Sequence, residues 1–378
     1  MADLFDYLNW RGDLSFEQVP FNKIDALLLA HVTYSIFDGV VSENFSERKT
    51  FAQVAKDFSA APDYEDRINI GFLINKRTAE LMFKCAECER FRNVELCGFR
   101  NIYNEENVEQ FAAATYIVNG KPIVALRGTD DTITGWKEDF NIAWLPQIPA
   151  QKDALEYFKE ALAAVDGDFI LVGHSKGGNL AINTAVNCGE KAQKRIEKVF
   201  NFDGPGFPKE FFEKPEYNKM EDRIYSFYPG FSVVGMIFHH PFNYEIVRSD
   251  GFAFWQHDPI GWQIMGNSFV NEVDFTDESR LFYKVFNEWI DKLNKEQKKN
   301  FVETMFCILE ASGAKTNTDI EKDAFKATAR MLAAYAELSH TRKKELHKIL
   351  SMFKDVITDD IPFFKPLILL KNNLRILG

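Results

Sequence analysis

With 378 residues, 46% of them hydrophobic, the chain is long enough to bury the core of one large domain with additions, or of two domains. Its formal net charge of −11, with no Lys/Arg cluster making a basic face, excludes nucleic acid and an anionic membrane surface as expected partners. The acidic start Ala2-Asp3-Leu4-Phe5-Asp6 lacks the basic flank and apolar run of a signal peptide, and the longest apolar stretches fall far short of a bilayer, so the expectation is a cytoplasmic protein with no transmembrane segment.

Residues 1–110 read as mostly helical, with an apolar helix over Ala26 to Ile36, where His31 belongs to the core, and further helices over Ala52 to Phe58 and Thr78 to Phe91. Cys85, Cys88 and the nearby Cys97 raise the question of a metal, but no second Cys pair or His pair completes a tetrahedral set, so no metal and no cofactor is expected. From Ala113 the pattern becomes strand, Asn119-Gly120 turn, strand to Leu126. Gln151 to Val165 reads as a helix, followed by strands at 168–172, 198–202, 223–228 and 244–248 around a helix beginning at Lys176. Alternation of this kind means a mainly parallel sheet covered by helices on both faces. From Thr276 onward four amphipathic helical stretches follow, and the tail Pro362 to Leu370 is apolar enough to need a covering surface. The expected division is an α/β unit at 1–275 with its helical N-terminal region and a helical C-terminal appendage at 276–378, through which any homo-oligomer would form.

Gly173-His174-Ser175-Lys176-Gly177 sits between a buried strand and a helix, which is the context of a nucleophile elbow. A serine hydroxyl is a weak nucleophile and needs a base and an orienting carboxylate. In chain order the base must come after Ser175, and His257, in an aromatic loop after the last predicted strand, is the candidate, with His239 and His240 behind it. Asp203, 28 residues past the serine and directly after a strand, is the candidate acid, with Asp250 and Asp258 as alternatives. The Gly204-Pro205-Gly206 turn is expected to leave Asp203 at the rim of the crevice. The oxyanion donors are expected at the Lys176 and Thr129 N–H groups, with Gly128 letting the backbone approach. If that loop were only structural, Arg127 would pair with a carboxylate such as Asp139.

Val124-Ala125-Leu126-Arg127-Gly128-Thr129, followed by Gly135-Trp136-Lys137-Glu138-Asp139, resembles the oxyanion region of class 3 lipases. Three blocks together resemble a bacterial lipase-like α/β-hydrolase family of unassigned function: Asp6 through Phe16, Gly173 through Ala181, and Gln256-His257-Asp258 with Trp262. The resemblance spans residues 1 to about 312 and implies the α/β-hydrolase fold, with Ser175 and His257 in their usual roles. Class 3 lipases carry their acid one strand later, where this chain has Phe227 to Gly235 and no carboxylate, so Asp203 resembles the earlier placement of pancreatic-type lipases. The expected function is a serine hydrolase cleaving a small acyl ester or lipid. The rivals are a non-catalytic binding protein on the same scaffold and a thioesterase, acyltransferase or peptidase, although no basic rim for the phosphates of coenzyme A is visible. Pro208 to Pro215 and Phe231 to Phe242 are the lid candidates.

Overall fold

The computed structural model describes residues 2–71, 74–241 and 243–352, the side chains of 321 and 349–352 apart. Eight strands form one sheet in the order of the chain: β1 (Lys49–Thr50), β2 (Glu95–Asn104), β3 (Glu109–Val118), β4 (Lys121–Leu126), β5 (Phe169–His174), β6 (Ile196–Phe202), β7 (Ile224–Pro229) and β8 (Tyr244–Val247). The pairs from β1 to β4 are antiparallel, and those from β4 to β8 are parallel. A two-stranded ribbon, β9 (Ile264–Met265) and β10 (Ser268–Phe269), stands apart.

The helices, in order, are α1 (Leu4–Arg11), α2 (Lys23–Val32), α3 (Phe51–Ser59), α4 (Tyr64–Ile68), α5 (Thr78–Glu87), α6 (Ile133–Asn141), α7 (Pro149–Ala164), α8 (Lys176–Asn187), α9 (Glu190–Gln193) and α10 (Pro215–Asn218). After the sheet come α11 (Asp277–Lys292), α12 (Lys295–Glu310), α13 (Asn317–Lys322), α14 (Ala324–Glu337) and α15 (His340–Met352).

Alternate residues of the central strands feed two cores, as period-two geometry requires. Val124, Leu126, Leu171 and Val199 pack with α7, α8 and the C-terminal helices. Ile123, Ala125, Ile170, Val172 and Phe200 pack with α1, α2, α3 and α5 on the other face. α2 is apolar nearly all round and is accordingly buried from Ile24 to Val32, with His31 only 3% exposed. Capping boxes fix the starts of α1, α2, α3, α12 and α13.

Three expectations are corrected. Residues 95–104 are a strand, not part of a helical N-terminal region; Gly98 (φ +63°) and a register shift between Cys97 and Arg100 break the alternation that would have revealed it. The helix expected over Asp319 to Leu338 is two, α13 and α14, interrupted at Asp323. The first lid candidate is packing: Phe211 is buried and stacks on Phe207 at 3.8 Å. The apolar tail Pro362 to Leu370 lies outside the described residues, as does the second lid candidate's last residue, Phe242. Among the described residues no helix is long and apolar enough to cross a membrane, and no group of three His, Cys, Asp or Glu is placed to hold a metal ion.

Candidate active site

Ser175 stands between β5 and α8 at φ 56°, ψ −135°, a conformation that L residues rarely adopt. The strain is held by close packing. A Cβ on Gly173 would come 2.1 Å from the Gly177 backbone, and one on Gly177 would come 2.0 Å from the Leu126 carbonyl oxygen. The Ser175 N–H donates to the Phe202 carbonyl at 2.9 Å, which ties the turn to β6. Gly128 lies against the serine, since a Cβ there would meet the Ser175 Cβ at 2.9 Å. That brings the Arg127–Thr129 loop alongside the hydroxyl.

Asp203 follows β6 at φ 50° and is fully buried rather than at the rim. Its turn is pinned from beneath. Asn201 Oδ1 accepts the Gly204 N–H at 3.0 Å, while Asn179 Nδ2 donates to the Pro205 and Gly206 carbonyls. Both carboxylate oxygens have partners: Oδ2 lies 2.5 Å from His257 Nδ1, and Oδ1 accepts the Ser232 hydroxyl at 2.5 Å. Because a carboxylate only accepts, Nδ1 of His257 carries the proton and Nε2 is left as a base. The ring is aimed by its loop: the Trp262 indole donates to the Gln256 carbonyl at 2.8 Å, and Gln256 Oε1 accepts the Phe231 N–H at 2.9 Å.

Ser175 and His257 line one cavity of about 80 Å³, together with Thr129, Asp139 and His174. The Ser175 hydroxyl forms no hydrogen bond with His257 among the described residues; such bonds often tighten only when substrate binds. His239 and His240 do not line this cavity: His239 Nδ1 faces the Tyr283 hydroxyl at 3.1 Å, and His240 lies beside Tyr228 and Tyr244. Asp258 is bound to Asn75 and the Ile260 N–H, and Asp250 to Gln263, so neither faces His257.

Several contributors were not read from the sequence. His174 stacks beside His257 with ring centres 4.6 Å apart. Its Nε2 lies 2.9 Å from the His257 carbonyl and its Nδ1 3.1 Å from the Tyr34 hydroxyl. The carbonyl can only accept, so Nε2–H donates and Nδ1 accepts. Burial, together with the neighbouring His257 and His31, holds its pKa well below the ordinary histidine value, which keeps it neutral beside His257. The Lys176 side chain is wholly buried: Nζ donates to Glu138 Oε2 (2.8 Å), to the Gln110 carbonyl (2.7 Å) and to Gln110 Oε1 (2.9 Å). Glu138 also accepts the Gln110 and Ala150 N–H groups. Arg127 pairs with Asn101 and Asp130, not with Asp139. Asp139 instead accepts the Thr129 hydroxyl at 2.6 Å.

Asp139 borders the cavity with its side chain 22% exposed and the remainder packed against protein. Burial pushes its pKa from 3.8 up to about 7, against the opposing pull of Lys176 and the Thr129 hydroxyl. The folded state therefore binds this proton more tightly than the unfolded chain does. The stability that this difference contributes is lost as pH rises from about 4 through about 7. Asp139→Asn keeps an oxygen for Thr129 and removes the titration. Its melting temperature relative to the parent should therefore be higher at pH 8 than at pH 5, as thermal melts at the two pH values would check.

The cavity is also lined by aromatic side chains, Trp136 and Phe140 of α6 and Phe286, Trp289 and Phe301 of α11 and α12. A strained serine at a strand–helix turn, on a sheet parallel from β4 to β8 and covered on both faces, defines an α/β-hydrolase fold. Residues 85–307, more than half the chain, match the Mbeg1-like family, and the chain belongs to it. Among solved structures, the crystal structure of M37 lipase is similar at 13% identity and a TM-score of 0.37, over 57% of this chain and 70% of that one. No curated protein matches.

Proposed function

We propose that the protein is a serine hydrolase that cleaves carboxylic esters with an apolar acyl group. Ser175 attacks the carbonyl carbon while His257 Nε2 takes its proton. The developing oxyanion is held by the N–H groups of Lys176 and Thr129, and Asp203 stabilises the imidazolium. His257 then delivers the proton to the leaving alcohol, and water cleaves the acyl-enzyme by the reverse assignment. In this reading Asp139 orients Thr129, and the helices after residue 275 cap the 1–275 unit, with Phe286, Trp289 and Phe301 beside the acyl chain.

The observation that carries the reading is a buried Asp203 in contact with His257, which lines one cavity with a strained Ser175. A fluorophosphonate should add covalently to Ser175 in the folded chain, seen by peptide mass spectrometry, and not after thermal unfolding. The missing Ser175–His257 hydrogen bond favours, as a second reading, a scaffold that binds without turnover. Absence of labelling at Ser175, with the fold intact by circular dichroism, would decide for that reading.

A further inference from the structure

A second cavity, of about 450 Å³, lies between α11, α12 and α15 and shares Trp289 and Phe301 with the Ser175 cavity. Its volume falls within the range of small-molecule sites. Trp289 and Leu346 are buried at its floor, joined by the half-buried Leu293 and Phe301. At its edge stand the exposed Lys292, Arg342 and Lys348 against one carboxylate, Glu345. Some surface lysines of this acidic chain are matched to carboxylates, as in Lys137–Glu310, Lys209–Asp291 and Lys315–Glu105. Lys292 and Arg342 make no ion pair among the described residues. A basic rim, which the sequence does not show, is thus assembled from residues some fifty positions apart.

We propose that this cavity binds a free single-chain carboxylate amphiphile, a fatty carboxylate of about twelve carbons being the plainest member. Its headgroup would sit on Lys292 and Arg342, where charge-assisted hydrogen bonds to two cations replace hydration. Its chain would lie along Trp289, Leu293, Phe301 and Leu346, removing apolar surface from water. A neutral alcohol of the same length gains only the second contribution, and a hydrophilic polyanion only the first. The proposal holds whether or not Ser175 is a nucleophile, because neither Lys292 nor Arg342 lines the Ser175 cavity.

Fluorescence titration of the full chain with 11-(dansylamino)undecanoate tests it. Saturable binding is expected, displaced by dodecanoate and not by equal concentrations of 1-dodecanol or coenzyme A. Lys292→Glu with Arg342→Glu should weaken binding by at least about tenfold, since two charge-assisted contacts become repulsive. Both positions are exposed, so the melting temperature should hold; Lys292→Gln with Arg342→Gln gives a milder pair, expected to show an intermediate loss. Unchanged affinity in the charge-reversed pair would overturn the proposal, as would equal displacement by dodecanol or by coenzyme A. So would a failure of the full chain to bind the probe saturably. Labelling of Ser175 by the fluorophosphonate depends on none of these results.

Discussion

Asp203→Asn should lower ester turnover by about 10⁴-fold with little change in KM, and Ser175→Ala by about 10⁶-fold. The asparagine effect follows from which atom each partner can accept. The Ser232 hydroxyl receives the Gly235 N–H and so must donate its own proton to Asp203 Oδ1. An asparagine would satisfy Ser232 only by placing its oxygen there. Its amide N–H₂ would then face His257 Nδ1 across the present 2.5 Å contact. Two donors cannot share that line, so the imidazole adopts the other tautomer and presents N–H, not a lone pair, to the Ser175 hydroxyl. The base is lost while the pocket is unchanged, which is why kcat falls and KM does not. Steady-state kinetics on p-nitrophenyl esters of several chain lengths would check both variants, with circular dichroism confirming the fold. Asp203→Asn turnover within about tenfold of the parent would mean that this carboxylate does not serve the imidazole.

Ser232 is itself held by Ser279 of α11, whose hydroxyl accepts the Ser232 N–H at 2.9 Å. A chain of hydrogen bonds therefore runs from the C-terminal helices to Asp203 and on to His257. The same helices supply the aromatic wall of the cavity. The helices after residue 275 and the Asp203 carboxylate are thus one connected structure, so in the proposed reading a shift of those helices would disturb the acid as well as the acyl wall.

What the sequence revealed was local. The elbow is a five-residue pattern between an apolar run and a helical one. The hairpin at Asn119-Gly120 is a turn signal, with both residues at positive φ. The parallel strands are short and apolar because both of their faces are covered. What stayed hidden depends on distant partners. Nothing near Asp203 announces its burial, because the groups that make a buried carboxylate tolerable are Ser232 and His257, 29 and 54 residues away. Nothing beside Lys176 shows that its side chain is buried, because its carboxylate partner, Glu138, lies 38 residues earlier. The helix α6 was missed because it is short, contains Gly135 and starts inside a polar loop, yet it carries Trp136, Glu138, Asp139 and Phe140 to the site. The signal that could have pointed to it was the Trp136–Asp139 spacing of the class 3 lipase resemblance, which puts both residues one turn apart on a helix.

Lys176→Met should destabilise the fold by about 3–5 kcal/mol, because it leaves the Glu138 carboxylate buried without its cation. Urea unfolding followed by circular dichroism would measure the loss. A second substitution separates charge from packing. Glu138→Gln in the Lys176→Met background removes the stranded charge and keeps one oxygen as an acceptor. Two backbone donors, from Gln110 and Ala150, now compete for that oxygen where Glu138 had two. The double variant should therefore recover much of the loss and remain about 1–3 kcal/mol below the parent, the cost of a buried donor left unmatched and of the Gln110 acceptors that lose Nζ. Activity should not recover in proportion. The Lys176 N–H lies in the first turn of α8, where backbone donors have no partner within the helix. The Nζ contacts to Gln110 and Glu138 hold that residue against β3 and α6 directly beside Ser175. If the pair served stability alone, the double variant would regain turnover as fully as it regains folding free energy; if the anchored side chain also fixes the oxyanion donor, kcat stays low while KM is unchanged.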